Sequence, residues 1–231
     1  MAQAFVRARR PEQKDVRRSH LLATAREVLA GGTPLRDLGL NELARTAGVS
    51  KANVYRYFES REAILLELLW EEAIEWWVAY QPVLERRRRG PVTLEALVDE
   101  AARSVVARPL LCELMAAVPS TLEQNLSAGV IAEFKTRLLE FFGVAATRMA
   151  SVCPELEHDA YVDLLYDTTT CIAGLYHSAR PSPTAAEAFA RPELAFFRRD
   201  LGDELSRHLR ALAAAAAAAT TRGQATQRQK G

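Results

Sequence analysis

The chain has 231 residues, of which 49% are hydrophobic and 26% are charged, and its formal net charge is +1. These values are ordinary for a soluble globular protein, and no apolar run approaches the roughly 20 residues that a transmembrane helix needs. The arginine-rich start lacks the apolar stretch of a signal peptide, which argues against export. Three scattered cysteines argue against a disulfide framework or a metal site and indicate a reducing, cytoplasmic location.

The small net charge conceals a basic N-terminal quarter. Residues 1–62 contain 12 Lys and Arg against 7 Asp and Glu, whereas the remaining residues contain 18 against 22. A surface that faces phosphate needs such an excess of positive charge. Surface charge also varies in proteins without such a partner, so the asymmetry gains meaning only together with a motif.

The sequence predicts helices almost throughout and no strand, so the expected fold class is all-α. The predicted helices cover residues 19–30, 40–47, 50–58, 61–89, 92–107, 109–117, 128–152, 157–179 and 191–218. Capping boxes are predicted at Ser120–Glu123 and Thr184–Glu187, where each end of the motif satisfies an amide of the other. The alanine run 213–219 favours helix, and the polar residues after it predict a disordered tail.

Residues 40–58 have the pattern of a helix-turn-helix, in which Gly48 closes the first helix and Ser50 begins the second. At about 100° per residue, Val54 and Phe58 share the inner face of the second helix. The outward set is predicted to be Lys51, Ala52, Tyr55 and Arg56, with Asn53 and Tyr57 on the flanks.

The outward residues are of the types that read a DNA groove. Arg and Lys donate to guanine O6 and N7, and a small Ala lets the helix approach a thymine methyl group. Flanking Asn and Tyr side chains donate to phosphates and fix the register of the helix. The alternative is an amphipathic helix with a solvated face, and the geometry alone leaves these two interpretations equal.

The stretch LNELARTAGVSKANVYRYFESREAILLELL resembles the DNA-binding region of TetR-type transcriptional regulators. The resemblance covers about residues 19–70 and rests on the order of Ala47-Gly48-Val49-Ser50, Tyr55, Tyr57-Phe58 and Ser60-Arg61. The rest of the chain resembles that family only in architecture. The resemblance implies an N-terminal three-helix DNA-binding domain followed by a larger helical body that binds an effector and dimerises.

Carried over by position, the resemblance implies roles for individual residues of the motif. It implies base-facing roles for Lys51, Ala52, Tyr55 and Arg56, phosphate contacts for Asn53, Tyr57 and Arg61, and an edge contact for Asn41. The sequence departs from the family pattern at Gly39, where Ser or Thr is usual and contributes a cap. It departs again at Arg61, where Lys is usual, which keeps the charge but changes the donor geometry.

The expected domain organisation has four parts. Residues 1–18 form a basic N-terminal arm, 19–62 the helix-turn-helix domain, 63–212 the effector-binding and dimerisation domain, and 213–231 the alanine-rich helix end and tail. The arm is expected to be either a disordered leader or a minor-groove contact. The cations Arg86 to Arg89 are expected to complement the dipole at the end of their helix.

Aromatic and sulfur-containing residues recur at helical spacing in the body. Most such residues form a core, but the family resemblance implies an apolar pocket with a few polar groups, as a small-molecule site requires. The candidate pocket residues are Trp76, Trp77, Met115, Asn125, Phe134, Tyr166, Cys171 and His177.

No glycine-rich phosphate loop, metal-ligand spacing or Cys-His pair indicates an enzyme, a cofactor or a metal. The resemblance therefore predicts a ligand-responsive repressor that binds inverted-repeat DNA as a homodimer and has no membrane partner. Helix 61–89 is expected to couple a small apolar effector to DNA. The alternative is a structural or partner-controlled DNA-binding protein without a ligand.

The dimer is expected to form through two late segments, 157–179 and 191–212, as an isologous four-helix interface. Their apolar residues recur three or four positions apart. They are Leu164, Leu165, Ile172, Leu175, Leu194, Phe197, Leu201, Leu205 and Leu209.

Overall fold

The computed structural model describes the backbone of residues 2–87 and 92–228 and the side chains of residues 15–85 and 92–220. The described residues form ten α-helices and no strand, in agreement with the all-α prediction. The helices are α1 Ala2–Ala30, α2 Leu40–Thr46, α3 Lys51–Tyr55, α4 Arg61–Arg87, α5 Leu94–Val106, α6 Pro109–Ala117, α7 Ala128–Val152, α8 His158–Ala179, α9 Pro183–Phe189 and α10 Leu201–Arg228.

The N-terminal domain consists of the second half of α1, the short helices α2 and α3, and the first turns of α4. Its core is apolar and buried, and each large side chain that it removes from water contributes roughly 2 kcal/mol. The core residues are Leu21, Leu22, Ala25, Leu38, Leu43, Val54, Phe58 and Ile64. A polar contact between His20 Nε2 and the carbonyl of Ala47, 3.1 Å apart, joins α1 to the end of α2.

Helix α1 begins at Ala2 and not at Ser19, so the backbone of the predicted arm, from residue 2, is helical. Extending an existing helix adds about one hydrogen bond per residue, whereas starting a new helix is costly. Residues 2–18 contain no glycine, and Pro11 is the one residue among them that has no amide hydrogen to donate. The basic side chains of Arg7, Arg9, Arg10 and Lys14 lie outside the described part of the chain.

The body is a bundle in which α10 packs on α5 and α8, and α8 also packs on α6 and α7. Long helix α4 runs from the N-terminal domain into this bundle and contacts α6 and α7. Its described part ends at Arg87, and the side chains of the predicted cationic end, Arg86 to Arg89, lie outside the described residues.

The two predicted capping boxes are wrong. Ser120 lies in a π-helical turn, Val118–Leu122, and donates to the carbonyl of Ala116 at 3.4 Å. Helix α9 is capped by Ser182, two residues before the predicted Thr184, because Pro183 has no amide hydrogen and fits the first helical position.

The predicted helix 191–218 is wrong at both ends. Residues Pro192–Phe197 form a 3₁₀ helix, and α10 begins at Leu201, where Asp200 Oδ1 accepts the amide of Asp203 at 3.0 Å. The alanine run is helical as predicted, but α10 continues through the polar residues to Arg228, where a disordered tail was predicted. Residues 229–231 lie outside the described part.

The helices of the described residues differ in length and in apolar character. No single helix there is both long and apolar enough to cross a membrane, and one pair, Leu94–Val106 with Pro109–Asn125, meets the criteria jointly but is bent by 90°. The large apolar side chains of that pair, such as Leu97, Leu111 and Leu114, are buried in the body's own core.

Candidate functional site

The helix-turn-helix is built around a tight turn at Gly48. Gly48 has a φ of 66°, a conformation that L side chains rarely adopt, and this lets the amide of Val49 donate back to Ala44 at 2.9 Å. Ser50 then caps α3 by accepting the amide of Asn53 at 3.2 Å, as predicted. Helix α3 ends at Tyr55, three residues earlier than predicted.

Four side chains of this motif form one exposed patch, which we call the recognition surface: Lys51, Ala52, Tyr55 and Arg56. Tyr55 is 50% exposed although it is a large aromatic residue. The ammonium of Lys51 lies 5.9 Å from the centre of the Tyr55 ring. Val54 and Phe58 are buried on the opposite side, so this helix turns its polar and aromatic groups outward.

The two cations of the recognition surface have no ion-pair partner among the described residues. By contrast, Arg26 pairs with three carboxylates, Glu71, Glu72 and Glu75. Because unpaired charges are free to bind an external anion or base edge, the recognition surface has the electrostatics that a DNA contact needs.

The flanking residues predicted for phosphate lie beside the recognition surface. Asn53 and Tyr57 are half-buried on its two sides, and Asn41 is exposed in the first turn of α2. All three side chains remain accessible to solvent. They are therefore placed where a DNA backbone could be contacted on either side of α3.

Arg61 differs from the other predicted contacts because its guanidinium is already bound within the protein. Nε and Nη2 donate to Glu62 Oε1 at 3.1 and 2.7 Å, and Nη1 donates to the carbonyl of Arg36 at 2.7 Å. Glu62 is buried, so Arg61 neutralises a carboxylate that would otherwise be unpaired. This pair was not predicted from the sequence.

The contacts between the DNA-binding motif and the body form a second polar region, which we call the junction. Glu67 on α4 binds both Arg18 at 2.9 Å and Arg137 at 2.8 Å, and the Arg137 guanidinium lies 4.4 Å from the ring centre of Trp70. Glu59, directly after Phe58, accepts from the backbone and side chain of Ser127. A cleft of about 290 Å³ runs between these groups.

The body contains an apolar cavity of about 360 Å³ that is partly open to solvent. Helices α4 to α8 supply nearly all of its wall. The lining residues include Leu69, Trp70, Ala73, Trp76, Val98, Ala101, Val105, Leu111, Met115, Phe134, Leu138, Phe141, Phe142, Met149, Leu164, Leu165, Tyr166 and Ala173. Four of the eight predicted pocket residues are among them: Trp76, Met115, Phe134 and Tyr166.

The other four predicted pocket residues do not line the cavity. Trp77 is buried behind the wall, where its ring centre is 5.8 Å from that of Phe141. Asn125 is exposed and donates to the carbonyl of Thr121 at 3.3 Å. Neither Cys171 nor His177 lines the cavity either: the lining positions of α8 lie between Leu164 and Ala173, so His177 lies beyond the last of them along the helix.

Few polar groups face the cavity. Lys135 Nζ and Glu123 Oε1 form an ion pair at 2.6 Å at its wall. The hydroxyl groups of Thr168 and Thr169 donate to carbonyls of their own helix, which leaves their oxygen lone pairs for a guest. The cavity therefore fits a mainly apolar small molecule with a few polar atoms.

Two of the three cysteine thiols, those of Cys112 and Cys171, do not have the properties of nucleophiles. Burial raises the pKa of Cys112 to about 11, and its thiol donates to the carbonyl of Val105 at 3.3 Å. Burial also raises the pKa of Cys171. Because a reactive cysteine needs a lowered pKa, neither thiol is activated.

The residues predicted to join two chains are mostly unavailable for that role. Six of them are buried in the chain's own core: Leu164, Leu165, Ile172, Leu201, Leu205 and Leu209. Their apolar spacing reflects packing of α8 and α10 within one protomer. The outward face of α8 instead carries Tyr166, Thr170, Gly174 and His177, and that of α10 carries Arg207, Ala211, Ala214 and Ala218. Tyr166 and Thr170 are exposed at the edge of the cavity and also belong to its lining.

Two family models match the chain. The model described as "Bacterial regulatory proteins, tetR family" matches residues 21–68. The model described as "Tetracyclin repressor-like, C-terminal domain" matches residues 70–219. The two matches meet within α4, where the DNA-binding motif passes into the body.

Individual proteins are also similar to this chain. Curated relatives include the HTH-type transcriptional regulator EthR of Mycobacterium tuberculosis and of Mycobacterium bovis, 44% identical over 63 residues. That match spans 27% of this chain and 28% of each relative. A solved structure of a TetR-family transcriptional regulator from Mesorhizobium loti MAFF303099 covers 89% of this chain and 97% of its own, with 18% identity and a TM-score of 0.49.

Proposed function

Because this chain belongs to the TetR family of bacterial transcriptional regulators, we propose that it is a repressor with two coupled binding sites. It binds an inverted-repeat operator as a homodimer and releases it when a small apolar effector enters the body. The observation that carries this proposal is the apolar cavity of about 360 Å³, whose wall includes the same helix, α4, that begins at the DNA-binding motif. We place this activity in the cytoplasm, where bacterial DNA lies.

Sequence readout is assigned to the recognition surface. Lys51 and Arg56 are exposed and have no ion-pair partner among the described residues, so they donate to base edges without first breaking a salt bridge. Ala52 permits close approach, and Tyr55 contributes an exposed ring beside Lys51. Replacing Lys51 or Arg56 relaxes the sequence preference.

Contacts with the DNA backbone are assigned mainly to Asn53 and Tyr57, with Asn41 at the edge. Arg61 contributes less than a free arginine would, because its guanidinium must leave Glu62 and the carbonyl of Arg36 to reach a phosphate. Its principal role in this account is to hold the start of α4 in position.

The dimer is assigned to the outward faces of α8 and α10. Small residues at Gly174, Ala211 and Ala214 allow close approach of helices from two chains, and Tyr166 is 61% exposed on the same side as Gly174. A twofold arrangement of these faces gives a closed four-helix interface. It sets the distance between two recognition surfaces.

The alternative, a structural or partner-controlled DNA-binding protein, requires a filled body. The observed cavity favours the ligand-responsive interpretation, since a protein interior is otherwise packed with few voids larger than a water molecule. The effector shifts the operator equilibrium only by its difference in affinity for the two states, typically about 1–3 kcal/mol.

The experiment is selection of duplexes from a random library with the full-length chain. We expect enrichment of inverted repeats whose half-sites lie about one helical turn or a multiple of it apart, because two α3 helices enter successive major grooves. Sedimentation should give twice the chain mass without DNA. Failure to enrich any duplex, or a monomer at micromolar concentration, would contradict the proposal.

A further inference from the structure

The N-terminus of α7 has an unusual cap. Ser127 is its N-cap, and its side-chain oxygen accepts the amide of Val130 at 3.4 Å. In a capping box the third helical residue is Glu or Gln, and it reaches back to the amide of the N-cap residue. Here the third helical residue is Val130, which has no acceptor, so the helix lacks half of its capping box.

The missing half comes from the DNA-binding domain. Glu59 Oε1 accepts the backbone amide of Ser127 at 2.9 Å, and Glu59 Oε2 accepts the Ser127 hydroxyl at 3.0 Å. The carboxylate is also placed at the positive end of the dipole of a 25-residue helix, where negative charge is favourable. Glu59 immediately follows the buried Phe58, so its position is set by the packing of the recognition motif.

The capped helix is also a wall of the cavity. Phe134, two turns after Ser127, lines both the apolar cavity and the cleft at the junction. Lys135 of the same turn pairs with Glu123, and Leu138 and Phe141 continue the cavity lining along α7. A guest that displaces Phe134 therefore moves the turn of α7 that follows the cap.

We propose that Glu59 is a positioning residue that completes the capping box of α7 from the other domain and thereby couples the cavity to the recognition surface. The cap is complete only while the DNA-binding domain is docked as in this structure, so displacement of α7 by a guest weakens that docked position. This inference rests on the proposed function. It makes α7, together with α4, a structural connection between the cavity and the recognition surface.

The first test measures the cap without any ligand. Amide exchange of Ser127 and Val130 is followed by NMR in the full-length protein and in its Glu59→Ala variant. We expect exchange at these amides to accelerate by about fivefold, the size of a typical N-cap contribution. Ser182→Ala, which removes the cap of α9, is the matched control and should accelerate exchange only at Ala185 and its neighbours. Unchanged exchange at Ser127 in Glu59→Ala would overturn the inference.

The second test separates capping from charge. Glu59 is acidic and close to the expected DNA backbone, so Glu59→Ala alone could change affinity for DNA by removing repulsion. Glu59→Gln removes the same charge but keeps an acceptor for the Ser127 amide, whereas Ser127→Ala removes the side-chain cap without changing any charge. Ser127→Asn restores a good N-cap residue.

The coupling is read with a duplex obtained by selection and with N-phenyl-1-naphthylamine as the apolar probe of the cavity. The quantity is the ratio of duplex dissociation constants with and without saturating probe. We expect a wild-type ratio of about fivefold or more, retained in Glu59→Gln and Ser127→Asn and reduced towards one in Glu59→Ala. In Ser127→Ala, which keeps the backbone amide that Glu59 accepts but loses the hydroxyl, the ratio should fall only in part. Equal ratios in all five proteins would overturn the inference.

Failure of the proposed function and failure of the role of Glu59 give different results. If the wild type binds no selected duplex, or its duplex affinity ignores the probe, the proposed function fails, while the exchange measurement still decides whether Glu59 caps α7. If the wild type shows coupling and the cap variants keep it in full, the proposed function stands and the role of Glu59 is refuted.

Discussion

The recognition surface and the junction both carry cations, but they use them in opposite ways. Lys51 and Arg56 project from α3 without a described ion-pair partner, whereas Arg18 and Arg137 both bind Glu67 within the junction. Cations without an ion pair suit a partner that binds reversibly, because binding does not require a salt bridge to break. Paired cations at a domain boundary instead fix one domain relative to the other. The difference separates the residues that we propose to read DNA from those that hold the two domains together.

The largest expected effect is at the recognition surface. Arg56→Ala should weaken binding to the selected duplex by about 1–3 kcal/mol in each half-site and relax the preference at the base pair it reads. Thermal stability should be unchanged, since the side chain is exposed. The measurement is fluorescence anisotropy with the selected duplex and single-base variants of it. Arg198→Ala, an exposed arginine in the body, is the control; an equal loss there would mean that only net charge matters.

Arg61 was predicted to contact DNA but is paired within the protein, so it tests whether pairing distinguishes the two kinds of cation. Arg61→Ala leaves the buried Glu62 without its guanidinium, so we expect the free energy of unfolding to fall by about 1–3 kcal/mol. The salt dependence of duplex binding should change little, because this arginine is already paired. Urea denaturation and binding at several salt concentrations measure the two effects. Arg61 would instead be a DNA contact if the free energy of unfolding is unchanged while the salt dependence of duplex binding falls by about one phosphate contact per subunit.

A substitution that fills the cavity should change the free energy of unfolding by a smaller amount and in the opposite direction. Ala73→Leu adds volume at a cavity-lining position of α4, and we expect the free energy of unfolding to rise by about 0.5–1 kcal/mol. Affinity for N-phenyl-1-naphthylamine should fall by about tenfold or more, while duplex affinity stays within about twofold of the wild type. The matched control is Ala79→Leu on the exposed side of the same helix. Unchanged probe affinity in Ala73→Leu would show that the probe binds elsewhere.

The smallest effect is expected at an exposed pair in neither region. A hydrogen bond with Asp159 at 2.9 Å, and a second with the carbonyl of Gly143, raise the pKa of His158. A raised pKa stabilises the folded state below the unfolded value of about 6.5, and this contribution is lost as the pH rises through the folded pKa. The Tm difference between wild type and His158→Ala should therefore be larger at pH 5.5 than at pH 8. An equal difference at both values would contradict this assignment.

Local motifs were predictable from the sequence, and contacts between distant segments were not. The turn at Gly48, the cap at Ser50 and the inward face of Val54 and Phe58 follow from residues a few positions apart, and the structure confirms them. The pair between Arg61 and Glu62 was missed although the two residues are adjacent, because only the fold buries that carboxylate.

The cavity and the dimer face could not be predicted from the spacing of apolar residues alone. A spacing of three or four identifies the apolar face of α8, but it does not tell whether that face packs within the chain, lines a void or meets a second chain. Leu164 lines the cavity, Ile172 lies in the core, and both were predicted at a dimer interface. For Ser127 the sequence held a weak signal, an N-cap residue followed by Val130 and not by Glu, but its partner is 68 positions away.

The most direct test of the proposed function is a reciprocal titration. A compound that quenches the fluorescence of the tryptophans beside the cavity is first identified by screening, and its dissociation constant is measured with and without saturating selected duplex. The duplex dissociation constant is then measured with and without the compound. The account predicts that both constants rise by the same factor, about 5- to 150-fold. A compound that occupies the cavity with an affinity indifferent to the duplex would contradict it.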